Sequence, residues 1–591
     1  MSRAEVADIV RRLGIEKVYL DSYRGIEAPH RPFTYIVHFD ESLFRTVADY
    51  FESLGVQAVG GVCLGSHTPD YEDAMNNPDG SQGVDRSCMS GPNTIRNYTE
   101  LFRRFAAVTD EILIDDVYYI YCFCERCMAR FNEHAGMKLT RPELAKRMAA
   151  GDKDVILPWT QLSDMTMKHI SDSMTSAARE VNPKIRLSAK VVLGNHEHPY
   201  FGQTPTAWES FDGVAVGVEN REKTVPGGGF CNYRYIKSVF GDKAYAIWPD
   251  ALNGWDWRDP MGGRKYLEQL RAALLACPKE LILFSMTEFE FARNGGTVKL
   301  LERELPKLRS LSDQLGEVKT ISHRRTPAFA DIHSPEMYLV QHLFSMGVSS
   351  DYRPIDAKSG AKVEVIGAYA QGVDVEGLLK AGKTVVVTSE GVRILVEDGK
   401  AAVLGLDAKQ PLLDEVAMVR YFEDGEGKMV QMSYGNHMRV FAPVGPVCKV
   451  ADAEVKLWAV TKDQRFPVLF EKKHGAGRLI VTCFTLLPAH QGTYYPEVAR
   501  QLWRDVAGEE LGVKLKKDGQ LSPASLVVGD RGVSLWNLEQ CQVRLVLSYH
   551  PKIYGGKLEL DARWYAHKEE GGWIEAETIM YPDEMRVMAR K

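Results

Sequence analysis

Residues 111–127 read Glu-Ile-Leu-Ile-Asp-Asp-Val-Tyr-Tyr-Ile-Tyr-Cys-Phe-Cys-Glu-Arg-Cys. Three apolar residues in a row, followed by two acids, predict a short strand over 111–116 that ends in Asp115 and Asp116. Comparable apolar runs lie at 17–21, 56–64, 185–192, 213–218, 244–248 and 281–286, with 33–38 as a further candidate. Helical spacing fills the gaps at 41–54, 97–107, 141–148 and 162–180. Strand–helix alternation over residues 1–322, with about eight strands, predicts an N-terminal (β/α)8 TIM barrel as the catalytic domain. A doubly wound nucleotide-binding fold would want a Gly-rich turn after an early strand, and the sequence holds neither G-x-G-x-x-G there nor a Walker motif. No organic cofactor is therefore expected.

The pattern changes after residue 322. A strand at 328–332, a helix at 335–346, a strand at 363–368, a helix at 375–381 and a strand at 384–388 predict a second α/β domain, 323–512. It closes on a strand at 475–483 and a helix at 495–507, with a β-rich stretch inserted at 417–458. Residues 513–591 read as strands alone, which predicts a small C-terminal antiparallel β-sandwich.

Composition narrows the class. At 591 residues the chain has room for two to four domains, and 45% hydrophobic with 26% charged residues is ordinary for a globular protein. With 73 basic against 79 acidic residues the net charge is -6, so nothing advertises nucleic acid or an anionic membrane. Mean hydropathy is -0.24, and no run approaches the roughly 18 apolar residues of a membrane span. The N-terminus lacks an apolar h-region, so a cytoplasmic protein is expected if this is the natural start.

Ten cysteines are too sparse for a disulfide framework. Cys63, Cys231, Cys277, Cys448, Cys483 and Cys541 lie in apolar or strand-like contexts and read as small buried hydrophobes. Cys122, Cys124 and Cys127 differ, because C-x-C-x-x-C with Cys88 34 residues before it supplies four thiolates for a closed tetrahedral zinc site. The bland alternative is three idle thiols on the first turn of a helix, and so many thiols in six residues are costly to keep reduced. Four protein ligands leave no open position, hence a structural zinc. Cys63 competes with Cys88 for the fourth place.

In a barrel, chemistry stands at the C-terminal strand ends. There the sequence offers Asp21, Tyr23 and Arg24; Asp115 and Asp116; Lys190; Glu219; Asp250 with Trp255 and Trp257; and Glu288. Several carboxylates beside aromatic rings are what sugar hydrolysis requires, one carboxyl protonating the leaving oxygen and another attacking or stabilising the anomeric carbon. Any single acid could instead orient a neighbour or pair with Arg24, Arg86 or Arg221. His196-x-His198 lacks a third metal ligand, and Cys63 lacks the Gly-rich elbow and placed histidine of a nucleophile.

The run Arg86-Ser-Cys-Met-Ser-Gly-Pro92, a helix, a strand ending in acids, then Cys122-Phe-Cys-Glu-Arg-Cys-Met-Ala-Arg-Phe131 resembles the glycoside hydrolase family 42 β-galactosidases. That resemblance implies a barrel, a four-cysteine zinc site, an amidotransferase-like trimerisation domain and a small β domain, in this order. It makes 111–116 the fourth barrel strand with Asp116 as acid/base, and 244–248 the seventh with Asp250 near the nucleophile position. Asp115 falls where the family has an Asn, and Glu219 and Glu288 stand as alternatives to the Asp pair. Asp21, Tyr23, Arg24, Lys190, Trp255 and Trp257 are then expected to bind the carbohydrate substrate.

Both catalytic positions hold Asp where the family has Glu, so hydrolysis of a different sugar or linkage is expected, in a homo-oligomer of trimer type. The Asp115 carboxylate is expected to raise the acid's pKa. Two other readings are a barrel that binds sugar without cleaving it, and a lyase or isomerase using Lys190 and Glu219.

Overall fold

The structure, a computed structural model, describes residues 2–20, 23–27, 35–63, 73–115, 122–192, 202–218, 227–249, 263–283, 296–325, 336–354, 360–368, 370–413, 419–430, 445–484, 495–516, 524–538 and 541–591. Seven strands, Lys17–Leu20, Gln57–Cys63, Glu111–Asp115, Arg186–Val192, Gly213–Val218, Ala244–Pro249 and Glu280–Leu281, form one all-parallel sheet in chain order. Helices Glu41–Ser53, Pro92–Ala106, Lys153–Val181, Gly228–Phe240 and Gly263–Leu275 lie between them, and Gly296–Leu315 follows.

Alternation along each strand divides two cores. Ile112, Ile114, Leu187, Val191, Val214, Val216 and Ile247 pack outward with the helices. Leu113, Ala215, Tyr245, Ala246 and Trp248 pack inward, with Ile282 and Tyr19.

Charge closes the sheet into a barrel. Lys17, on the first strand, places Nζ 3.0 Å from Glu280 on the last and 3.2 Å from Glu111 between them. Tyr19 Oη donates across the same interior to Glu111 and Glu280, 3.3 Å to each. Arg186 lies 3.5 Å from Glu111. Burial pulls the Lys17 ammonium down, but Glu280 and Glu111 together hold it above its ordinary range. These groups sit at the N-terminal ends of their strands, the face of a barrel that serves stability.

Two expectations change here. The candidate strand at 33–38 does not enter the barrel: Tyr35–Phe39 pairs antiparallel with Tyr23–Glu27, and Lys17–Leu20 pairs directly with Gln57–Cys63. Glu111–Asp115 is therefore third, not fourth, in the described sheet. An alternating apolar pattern is shared by a barrel strand and a hairpin arm, so the sequence could not separate them.

Beyond the barrel, an eight-stranded mixed sheet runs Ser350–Pro354, Ile321–Arg325, Val363–Ile366, Thr384–Val387, Gly477–Thr482, Arg465–His474, Glu454–Val460, Tyr421–Asp424. The first five are parallel and the last three antiparallel. The β-rich insertion thus extends the parallel sheet. The expected strand at 328–332 lies outside the described residues, and Ile321–Arg325 is the first strand of this sheet in the described chain.

Two four-stranded antiparallel sheets complete the chain, one of which recruits Val318–Lys319 from the barrel's exit. Phe230 meets Phe344, and Tyr235 meets Tyr352 edge-on, where barrel and second sheet join. Cys231, Cys448 and Cys483 are buried as expected; Cys541 is exposed, in a turn between sandwich strands. Among the described residues no helix is long and apolar enough to cross a membrane.

Replacing Lys17 by Met leaves two inward carboxylates with the more distant Arg186 as their shared cation. The expected loss is about 3 kcal/mol of unfolding free energy, read as a lower urea midpoint at neutral pH.

Candidate active site and metal centre

Ile114 is in register with Ala189, so the next residues, Asp115 and Lys190, stand side by side on neighbouring strands. Lys190 is only 2% exposed along its side chain, and its Nζ lies 2.9 Å from Oδ1 of the 15% exposed Asp115. The same ammonium sits 4.5 Å from the centroid of the Trp248 ring. Gly217, in register with both Val192 and Trp248, gives the lysine its room: a Cβ there would lie 2.7 Å from Lys190 Cε and Val192 Cγ2. A buried lysine is tolerated only with a close counter-charge, and strand Glu111–Asp115 supplies it.

The pair bears on one expectation. Asp115 is half of an ion pair with Lys190, while the neighbour whose pKa it was expected to raise, Asp116, lies outside the described residues. Asp116, Glu219 and Asp250 lie outside the described residues, each one position beyond a described strand that ends at Asp115, Val218 or Pro249. Asp21, Trp255, Trp257 and Glu288 also lie outside. Tyr23 and Arg24 open the hairpin strand Tyr23–Glu27, three and four positions after the C-terminal end of barrel strand Lys17–Leu20. Trp248 and Gly217 were missed, because periodicity places both in strands without saying which face looks inward.

Asp164 was missed as well. It lies on the long helix Lys153–Val181, where burial pushes its carboxyl up to about 7 against an opposing hydrogen bond from Thr204. Next to Thr204, Gln203 accepts the backbone N–H of Val192 at 3.2 Å, placing this buried acid behind the mouth end of strand Arg186–Val192. Its signal in the sequence is an acid on the buried face of an amphipathic helix.

Among the described residues one group could hold a metal: Cys88, Cys122, Cys124 and Cys127, whose sulfurs lie within 4.8 Å of one another. Cys88 Sγ is 3.9 Å from Cys124 Sγ and 3.5 Å from Cys127 Sγ. A tetrahedron with centre-to-sulfur bonds of about 2.3 Å has edges of about 3.8 Å, so the donor set fits. Cys88 completes the cluster.

Local folding prepares it. Cys124 caps helix Glu125–Ala135, Cys122 Sγ accepts the Asn76 N–H at 3.4 Å, and Phe123 N–H bonds Asn76 O at 2.8 Å. Buried Asp73 accepts the Thr94 N–H at 2.9 Å and meets Arg126 at 3.4 Å, while its carbonyl takes the Cys88 N–H. Hydrogen bonds among the four thiols push Cys122 and Cys124 below their ordinary range and Cys88 and Cys127 above it, so the metal-free cluster shares its protons among four sulfurs.

Comparison with known proteins agrees with this geometry. The family described as "Probable glycosyl hydrolase, catalytic domain" matches residues 1–300, and models of the second and third domains of the uncharacterized protein SSO3021 match 329–486 and 492–562. SSO3021 itself, from Saccharolobus solfataricus, is 24% identical over 92% of this chain and 89% of its own length. A cold-adapted β-galactosidase from Rahnella sp. R3 superposes with TM-score 0.64 at 11% identity, over 100% of this chain and 95% of that one. A family 42 β-galactosidase from G. stearothermophilus gives 0.64 at 10%, over 99% and 95%. An α-L-fucosidase from Paenibacillus thiaminolyticus gives 0.65 at 12%, over 100% and 96%. The chain belongs to the probable glycosyl hydrolase catalytic-domain family, and its fold is shared with the family 42 β-galactosidases.

Proposed function

We propose that this protein is a retaining glycoside hydrolase whose acid/base is Asp116 and whose nucleophile is Asp250. The observation that carries the reading is the Asp115–Lys190–Trp248 group, a charge pair against an indole at the C-terminal strand ends of a barrel from a glycosyl hydrolase family. In this reading the substrate is an oligosaccharide or glycoside. Asp116 protonates the glycosidic oxygen as Asp250 attacks the anomeric carbon. The aglycone leaves, and Asp116, now a carboxylate, takes a proton from the water that releases the sugar. Trp255 and Trp257 line the subsites, Asp21, Tyr23 and Arg24 contact the glycone, and Glu219 and Glu288 replace one of the Asp pair if either Asp is mute.

A lyase or isomerase built on Lys190 has less support. Lys190 Nζ is engaged by the Asp115 carboxylate and the Trp248 ring, and its side chain is packed in the barrel wall rather than presented to a substrate. Zinc is the metal this reading assigns to the four cysteines, as a fold-stabilising ion, since four thiolates leave no place for substrate. The reading also divides the chain into catalytic barrel (1–322), amidotransferase-like trimerisation domain (323–512) and C-terminal sandwich (513–591). A cytoplasmic setting suits reduced thiols.

Purified protein screened against aryl α- and β-glycosides of hexoses, pentoses and uronic acids should release aglycone from at least one. Asp116→Asn and Asp250→Asn should each lose most of that turnover with unchanged melting temperature; wild-type rates in either variant remove it from the mechanism. Lys190→Met should destabilise by about 3 kcal/mol, with much of the loss recovered in Lys190→Met/Asp115→Asn, which no longer strands a buried carboxylate. Metal analysis should find one zinc per chain, lost with a fall in melting temperature in Cys124→Ser; full stability without metal contradicts the assignment.

A further inference from the structure

The second sheet holds a cleft that the barrel chemistry does not use. Its five parallel strands lie in the chain order second, first, third, fourth, fifth. After Ile321–Arg325 the chain moves to one side to form Ser350–Pro354, then crosses to the other to form Val363–Ile366. The two connections part at the C-terminal ends of Ile321–Arg325 and Val363–Ile366. That switch in direction is where open α/β sheets leave a crevice for ligands.

A cleft of about 300 Å³ opens at this place. Arg324 lines it from the end of the first strand, and Gln371, Gly372, Val373, Asp374 and Leu378 line it from the segment after Val363–Ile366. The volume is at the small end of ligand pockets, room for one monosaccharide unit.

Three cations converge on one carboxylate behind this wall. Glu364, 1% exposed, faces three cations: Arg324 Nε at 3.4 Å, Lys383 Nζ at 2.9 Å, and Arg353 in direct contact. Burial lowers all three from their ordinary values, Arg353 to about 10, and Arg353 and Arg324 depress Lys383 further by like charge. Asp351 and Glu510 act on Arg353, and Glu510 on Lys383, but Asp351 is already paired with Arg234 and Glu510 already accepts the backbone N–H groups of Lys362 and Val363. Among the described residues, Arg324, the cation in the cleft wall, meets Glu364 alone, through Nε. Opposite it, Asp374 is oriented by the Gly377 N–H at 2.9 Å.

We infer that this cleft is a second binding site, for a monosaccharide-sized oxyanion: Arg324 takes the phosphate or carboxylate, and Asp374 with Gln371 takes hydroxyl groups. A planar guanidinium fork suits either oxyanion, and a carboxylate and an amide suit a polyol. The site stands apart from the barrel and does not depend on the proposed catalytic residues.

Calorimetric titration of the full chain with inorganic phosphate, a hexose phosphate, glucuronate and, as neutral control, glucose tests it. Saturable one-to-one binding of a hydroxylated anion, with a dissociation constant on the order of 1 mM or tighter, is expected, and none of glucose. Binding of the hexose phosphate alone identifies a sugar phosphate; binding of glucuronate alone identifies a sugar acid. Arg324→Met should weaken binding at least about tenfold, and Arg324→Lys, which keeps the charge without the fork, by less. Asp374→Asn should weaken the sugar anion and leave phosphate unchanged. Melting curves check that each variant is folded, and Arg324→Lys carries the test if Arg324→Met is not. Absence of saturable binding up to about 10 mM, or equal binding in wild type and the folded Arg324 variants, overturns the site. Inorganic phosphate binding as tightly as both sugar anions overturns the hydroxylated class of ligand.

Discussion

A five-residue strand carries a carboxylate at each end, and a cation from another barrel strand holds each one. Glu111 meets Lys17 at the closed end of the barrel, and Asp115 meets Lys190 at the open end. Between them Ile112 and Ile114 pack outward and Leu113 inward. The arrangement fixes the height of the strand in the barrel from both sides, because slipping by one residue would exchange the buried apolar face for the charged one. Three apolar residues alone could pack at several heights; the two ion pairs select one.

The same strand ties the barrel mouth to the cysteine cluster. Its last described residue, Asp115, is seven positions before Cys122. Cys122 is bound to the segment around Asn76, Cys124 begins a helix, and Cys88 arrives beside buried Asp73. Both ends of the short intervening segment, which includes Asp116, are thus anchored, one by a charge pair and the other by a cross-linkable knot of sulfur.

Much of this was legible because it is local. The barrel strands announced themselves as apolar runs, and the four cysteines as a spacing. The hairpin Tyr23–Glu27 with Tyr35–Phe39 was not legible, since its alternation matches that of a barrel strand and only the direct pairing of Lys17 with Gln57 excludes it. The antiparallel extension of the second sheet was read as an insertion, because strand partners distant in sequence leave no periodic trace. At the site, Asp115 and Lys190 could be picked out as chemistry-bearing residues, but their contact depends on the register between two strands 70 residues apart in the chain. Gly217 shows the limit most clearly: a glycine inside a strand reads as a weakness until the lysine that fills its missing side chain is in view.

Hydrolysis by a barrel carboxylate is the central claim, and the fate of water tests it most directly. Mass spectrometry of the sugar released in heavy-oxygen water should show one heavy oxygen incorporated at the anomeric carbon, and proton NMR of the first-formed product should show the substrate's own anomeric configuration. Product lacking the heavy oxygen would contradict a hydrolase outright, and an inverted anomer would contradict attack by Asp250.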